Sequence, residues 1–360
     1  MKYTEGETKA ERKARKNANK ARKNANKGIP LIALPKPINY NGKHYNKIIN
    51  HSDSVVITWV INNICTNSCS YCPADLHTGK NHHYDWNTAK QFINECFDRY
   101  GKLHFSVAGG EPSISPFFKE MVDLIYDRNG TITLTTNLAK SAKWWGKIAS
   151  KMSSLGCSYH PEFMLTQNDE DLFFEKIAVT SKLTGVSIRV MMHPDYWDKC
   201  MAFYNRMKDS DLTVSVEIVR ILDNFGIGDP FCVINYTEEQ DRLLNETPQI
   251  RRWPKLPSTF RHIDRMSEIV EVSNTKDKLS YELVSGLTNS QNTNFEGWTC
   301  NIGLESLFVH YNGNVIRGNC GVGGCIGNIN TSINWPTTSI ICNKNECHCA
   351  TDVLLSKEIK

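Results

Sequence analysis

Cys65-Thr66-Asn67-Ser68-Cys69-Ser70-Tyr71-Cys72 places three thiols at a Cys-x3-Cys-x2-Cys spacing. Thiolates are soft ligands that suit zinc or iron–sulfur clusters. A structural zinc ion takes four ligands, and the nearest further candidates are His77, His82 and His83 on the polar segment that follows. Three thiolates alone suit a four-iron cluster with one iron left open for another ligand. On spacing alone, a cluster loop and a zinc knuckle both stand.

A second group of chemistry-bearing residues lies at Ala108-Gly109-Gly110-Glu111-Pro112. Two glycines without a Cβ let backbone approach a ligand closely. Glu111 offers a carboxylate and Pro112 fixes the turn. Further along stand Thr135-Thr136-Asn137, His160, Arg189, His193, Glu217 and Arg220. A third group is the set of six cysteines near the end: Cys300, Cys320, Cys325, Cys342, Cys347 and Cys349. Between the first two, Leu307–Ile316 reads as a hairpin with Asn312-Gly313 at its turn. Cys96 and Cys157 read as buried small hydrophobes, Trp144-Trp145 as core plus rim, and His82-His83 as a polar loop.

These residues need elements to bring them together. Apolar, β-branched runs mark strands at 55–61, 103–108, 131–135, 158–164, 187–192 and 213–222, with helical patterns at 86–100, 116–127, 139–155, 169–184 and 196–209. Strand–helix alternation predicts a parallel α/β architecture. Six units are too few for an eight-fold barrel, leaving an open doubly wound sheet or a partial barrel. In either, chemistry belongs at the C-terminal ends of the strands, where the three thiols, Gly109–Pro112, Thr136-Asn137, His160, Arg189 and Glu217 fall. Residues 29–53 read as an irregular lead-in. In the connecting region 226–295, Thr237–Gln240 is a capping box that opens a short helix, and 268–272 with 279–284 reads as a β-hairpin.

The cysteine loop, followed one unit later by Gly-Gly-Glu-Pro and then by Thr136-Asn137, resembles the radical S-adenosylmethionine (SAM) enzymes. The resemblance covers about residues 54–225 and implies a partial (β/α)6 barrel. It implies a [4Fe–4S] cluster on Cys65, Cys69 and Cys72, and SAM held with its methionine end on Gly109–Pro112. Tyr71, Thr136, Asn137, His160 and Arg189 are the further SAM-contact candidates. Reductive cleavage of SAM would give a 5′-deoxyadenosyl radical that abstracts hydrogen from a substrate. An electron donor such as flavodoxin or ferredoxin is implied.

Residues 296–360 resemble the SPASM and twitch extensions of those enzymes, small Cys-rich α+β domains that hold auxiliary clusters. The pattern departs from SPASM: Gly318 stands where a cysteine is expected after the hairpin, and the seven-cysteine set is incomplete. One auxiliary cluster is therefore expected, on Cys320, Cys342, Cys347 and Cys349. Cys300 is next in line, and would replace one of the closely spaced Cys347 and Cys349. Cys325 is the weakest candidate, and a zinc ribbon is the competing reading.

Composition narrows the rest. The chain has 360 residues and 13 cysteines, and no apolar run long enough to span a membrane. Residues 1–28 carry ten Lys/Arg against three Glu and repeat Ala-Arg-Lys-Asn-Ala-Asn-Lys. With only alanine as its apolar residue, this tail reads as a solvated or marginally helical segment. A cytoplasmic protein is expected. The substrate reads as a peptide or protein, with a sugar, nucleotide or cofactor precursor as the alternative. A zinc protein that binds nucleic acid through its tail is the remote rival, since no second basic run supports it.

Overall fold

The computed structural model describes residues 35–40, 42–221, 235–252, 267–279, 284, 287, 292–347 and 349–360. The basic repeat, and the parts of the connecting region between those segments, lie outside the described residues.

Contrary to expectation, the lead-in is ordered as two antiparallel strands, β1 (Ile38–Tyr40) and β2 (Lys43–Asn50). Its sequence is too polar to announce a strand. Pairing on both sides of β2 compensates, and Tyr45 and Ile48 turn inward.

Six parallel strands then follow: β3 (Val55–Val60), β4 (Leu103–Ala108), β5 (Thr131–Thr136), β6 (Ser154–Tyr159), β7 (Gly185–Met191) and β8 (Ser215–Val219). They pair in chain order, each with the next. Five helices connect them: α1 (Trp86–Tyr100), α2 (Phe118–Asp127), α3 (Ala142–Ile148), α4 (Gln167–Thr180) and α5 (Trp197–Asp209). This is the partial (β/α)6 barrel. Local signals set the helices: Asp85 caps α1, Thr166 and Asp169 form a capping box on α4, and Gly101 ends α1 at φ 75°. Ala89, Phe92, Ile93, Cys96 and Phe97 recur at helical spacing and bury one face of α1 against the sheet.

The fourth strand lies earlier than the sequence pattern suggests. Ser154 and Leu155 read as the end of a long helix, but α3 stops at Ile148 and a 3-10 turn intervenes. The strand ends at Tyr159, because Pro161 begins another turn. His160 is thereby moved from mid-strand to the rim.

Downstream, α6 (Glu238–Glu246) carries the expected capping box, and β9 (Ile250–Arg251) adds antiparallel to β8. The hairpin of the connecting region pairs β10 (Ser267–Glu271) with β11 (Lys276–Leu279). Its second strand starts three residues earlier than expected, because Asn274 adopts φ 67° and makes the turn there.

The tail supplies β12 (Thr299–Cys300), β13 (Ser306–Val309), β14 (Asn314–Ile316), β15 (Cys325–Asn328), β16 (Ile340–Ile341) and β17 (Lys357–Glu358). These divide between two sheets. β13 joins the barrel in parallel with β3, and β14 and β15 extend that sheet. The others join the lead-in and connecting strands in the order β11-β10-β2-β17-β12-β16. Leu307, Val309, Val315 and Ile326 accordingly pack in the barrel's core, while Trp298, Leu354 and Val353 pack in a second core beneath the other sheet.

Tyr84 fixes the end of β3, from which the cysteine loop departs. Its hydroxyl donates to the Ile61 carbonyl at 2.7 Å and receives the Trp59 indole N–H at 2.8 Å. Tyr84→Phe removes one oxygen and strands both partners in the core. We expect a loss of about 1–3 kcal/mol, read as a lower urea midpoint with an unchanged slope.

Candidate active site

The chain leaves β3 through Asn62, Asn63 and Ile64. Asn62 is buried. Its side chain donates to the Glu111 carbonyl at 3.1 Å, and its own carbonyl accepts the Gly110 N–H at 2.9 Å. The Ile64 carbonyl accepts the Glu111 N–H at 2.8 Å. Gly79 N–H returns to the Asn63 carbonyl, so the loop closes on itself. The cysteine loop is therefore hydrogen-bonded to the Gly-Gly-Glu segment through backbone.

This geometry changes the meaning of the two glycines. Both line the cavity described below. A Cβ on Gly110, however, would lie 2.3 Å from the Ile64 carbonyl oxygen and 2.6 Å from that of Leu76. A Cβ on Gly109 would lie 2.7 Å from the Asn62 carbonyl oxygen. What must come close here is first the cysteine loop itself.

Glu111 and Pro112 are buried and do not line the cavity. The Glu111 carboxylate accepts from Thr136 Oγ1 (2.8 and 3.0 Å), the Asn137 N–H (2.7 Å) and the Ser113 N–H (2.9 Å). Burial pushes its pKa up, and these hydrogen bonds pull it back. Its task in this arrangement is to tie the end of β4 to the end of β5. Asn137, so placed, donates from Nδ2 to Thr66 Oγ1 at 3.0 Å, with Cys65 Sγ at 3.7 Å.

The sites at the strand ends face one cavity of about 820 Å³. Cys65, Cys69 and Cys72 line it, together with Tyr71, Gly109, Gly110, Thr136, Asn137, His160 and Arg189. Cys69 Sγ is 3.3 Å from His160 Nδ1, and the Tyr71 hydroxyl is 2.6 Å from the same nitrogen. Burial lowers the His160 pKa to about 4, so the imidazole is neutral. Glu162 accepts the Ser70 N–H, which braces the loop between its second and third cysteines. Arg189 does not point free into the space: its Nε donates to Glu217 at 3.1 Å, and Gln249 donates to the other Glu217 oxygen. Glu217 and Arg220 complete the far wall.

Burial also raises the thiol pKa values, that of Cys72 to about 11 and of Cys69 to about 12, with Cys65 raised as well. A metal centre must therefore displace protons on binding. The donor set suits a cluster with one open iron: three soft ligands on one wall of a roomy cavity. Among the described residues, the buried Asn137 Oδ1 has no hydrogen-bond partner. Among the described residues, no three His, Cys, Asp or Glu side chains form a ready site for a single metal ion. His77, His82 and His83 do not line the cavity.

The terminal cysteines divide differently from the expected set. Cys300, Cys320, Cys342 and Cys347 line one small pocket with Asp352 and Lys357. Cys349 is absent from that lining and serves as the N-cap position of a short helix, Ala350–Val353. Cys300 lines that pocket instead. Cys325 is exposed on β15. Gly318 has a packing reason to lack a side chain, since a Cβ there would lie 2.5 Å from Ile302 Cδ1.

Asn62, Asp352 and Lys357 emerge only from the fold. The local signal that could have found Asn62 is a polar Asn-Asn pair directly after an apolar strand.

Comparison with known proteins agrees with this geometry. Residues 59–221 match the Radical SAM superfamily. The barrel therefore carries a domain of that superfamily. Among solved structures, it is similar to Streptococcus suis SuiB bound to precursor peptide SuiA, at TM-score 0.47 and 11% identity over 92% of this chain and 72% of that one. SuiB bound to S-adenosylmethionine gives TM-score 0.43 and 11% identity, over 89% and 68% of the chains. TYW1 with a lysine-pyruvate adduct bound gives 0.28 and 14%, over 52% and 76%. No curated protein sequence matches significantly. Among the described residues, no helix is long and apolar enough to cross a membrane.

Gly110→Val is expected to displace the cysteine loop as well as crowd the cavity. Iron content after anaerobic reconstitution and SAM affinity should fall together, the latter at least ~10-fold, which is ~1.4 kcal/mol. A variant with full iron and weakened SAM binding would return the glycine to a ligand-contact role alone.

Proposed function

We propose that Cys65, Cys69 and Cys72 hold a [4Fe–4S] cluster and that the enzyme modifies a peptide or protein, at a side chain or the backbone. The observation that carries the site assignment is that the three thiols line the same cavity as Gly109, Gly110 and Asn137. A cluster held there would supply the one-electron chemistry of reductive SAM cleavage, and hydrogen abstraction from the substrate would follow.

The chain's own residues do the rest. Cys65, Cys69 and Cys72 would hold the cluster. The Gly109–Gly110 backbone offers the same cavity a surface without side chains, suited to the methionine end of SAM. Thr136 and Asn137 are held at that surface by Glu111. His160 keeps Tyr71 and the middle cysteine in register. Arg189 and Glu217 form a paired, polar wall opposite, suited to the amide and carboxylate groups of a peptide.

A second cluster is assigned to Cys300, Cys320, Cys342 and Cys347, in place of the set containing Cys349. Four thiols on one pocket satisfy a closed four-iron cluster. Such a centre relays electrons and does not bind substrate. A flavodoxin or ferredoxin is the natural source of the first electron.

Cys69→Ala should abolish 5′-deoxyadenosine formation. Wild-type protein should hold ~8 Fe per chain, and the variant with Cys65→Ala, Cys69→Ala and Cys72→Ala ~4 Fe, from four-iron clusters. Wild-type-like SAM cleavage by Cys69→Ala would refute the first assignment, and zinc without iron in the triple variant would refute the second. Short peptides encoded beside the gene, incubated with enzyme, SAM and dithionite, should change mass in step with 5′-deoxyadenosine formation. Turnover elicited only by a small molecule would refute the peptide reading.

A further inference from the structure

We propose that Lys357 is a built-in counter-charge for the C-terminal four-cysteine site and sets the reduction potential of the cluster held there. The proposal rests on the assignment of a second cluster to Cys300, Cys320, Cys342 and Cys347.

Lys357 is 4% exposed, an unusual place for an ammonium. Its position is fixed by the sheet. β17 lies between β2 and β12, with Lys357 paired to Ile48 on one side and directly to Cys300 on the other. The side chain enters the pocket lined by the four cysteines. There Nζ donates to the Asp352 carbonyl at 2.5 Å and the Val353 carbonyl at 3.2 Å, and lies 4.3 Å from the centre of the Phe295 ring.

Those hydrogen-bond acceptors are backbone carbonyls, which carry no formal charge. The nearby Asp352 carboxylate is engaged with the Cys320 N–H at 2.9 Å. A buried ammonium is costly unless negative charge faces it. Four thiolates on an iron–sulfur core are such a charge, and reduction adds one more electron to it. A fixed cation stabilises the reduced form more than the oxidised form, so it raises the potential. Charge near the cluster is one of the terms that sets iron–sulfur potentials.

The experiment uses the full chain with Cys65→Ala, Cys69→Ala and Cys72→Ala, reconstituted anaerobically with iron and sulfide, so that only the C-terminal site is loaded. An EPR-monitored redox titration compares this parent with the same chain carrying Lys357→Met. The expected result is unchanged iron, ~4 Fe per chain, with a midpoint shifted to more negative potential and restored towards the parent by Lys357→Arg. Lys357→Gln keeps a donor for the two carbonyls without the charge, and is titrated in the same way should the Met variant fail to fold. A midpoint equal to or above the parent's in an iron-replete neutral variant overturns the proposal. A parent that binds no iron overturns instead the second-cluster assignment on which it rests.

Discussion

The buried carboxylate of Glu111 is the interaction on which the site depends. An unpaired carboxylate at this depth would be strongly destabilising. Here it is met by hydroxyl and backbone donors from the ends of two strands, and its own backbone is bonded to the exit of a third. Three loops that must present thiols, glycines and an amide to one space are thereby held as a unit. A charge that sequence reading would place on a ligand is spent on the protein. The part of the cavity wall beside it is the Gly109–Gly110 backbone, cysteine sulfur and the Asn137 amide.

The two cysteine groups show how surroundings separate similar donors. The first opens on a cavity large enough for a cofactor and part of a substrate, with a neutral imidazole and a phenol beside the middle thiol. The second is enclosed, has four thiols, and shares its pocket with a lysine and an aspartate. Openness suits a centre at which bonds are broken. Enclosure and fixed charge suit one through which electrons pass.

Much of the barrel was legible because its strands are β-branched apolar runs and its helices bury one face at regular spacing, as α1 shows with five inward residues. The three thiols and the glycine pair could be placed at strand ends by the same reasoning. Other features depended on distant pairing. β2 has no alternating pattern and exists because β10 and β17 flank it. The role of Glu111 depends on Thr136 and Asn137, which only the parallel register brings near. That Cys300 lines the pocket with three other cysteines while Cys349 does not follows from how a strand and a short helix are placed around it. None of these is encoded within a local window.

The parallel seating of β13 on β3, Leu307 beside Ile57, has a consequence for how the molecule is made. Domains fold as units during synthesis, generally from the N-terminus. Here the strand that leads to the cysteine loop is among the first barrel segments to leave the ribosome, while the strand that covers its outer edge is among the last. Until residues 306–309 emerge, the nascent barrel displays an unpaired, apolar edge, the kind of surface that invites association with other chains. Long-range pairing of this sort is intrinsically slow. Shielding of that edge during translation is therefore a condition for productive folding.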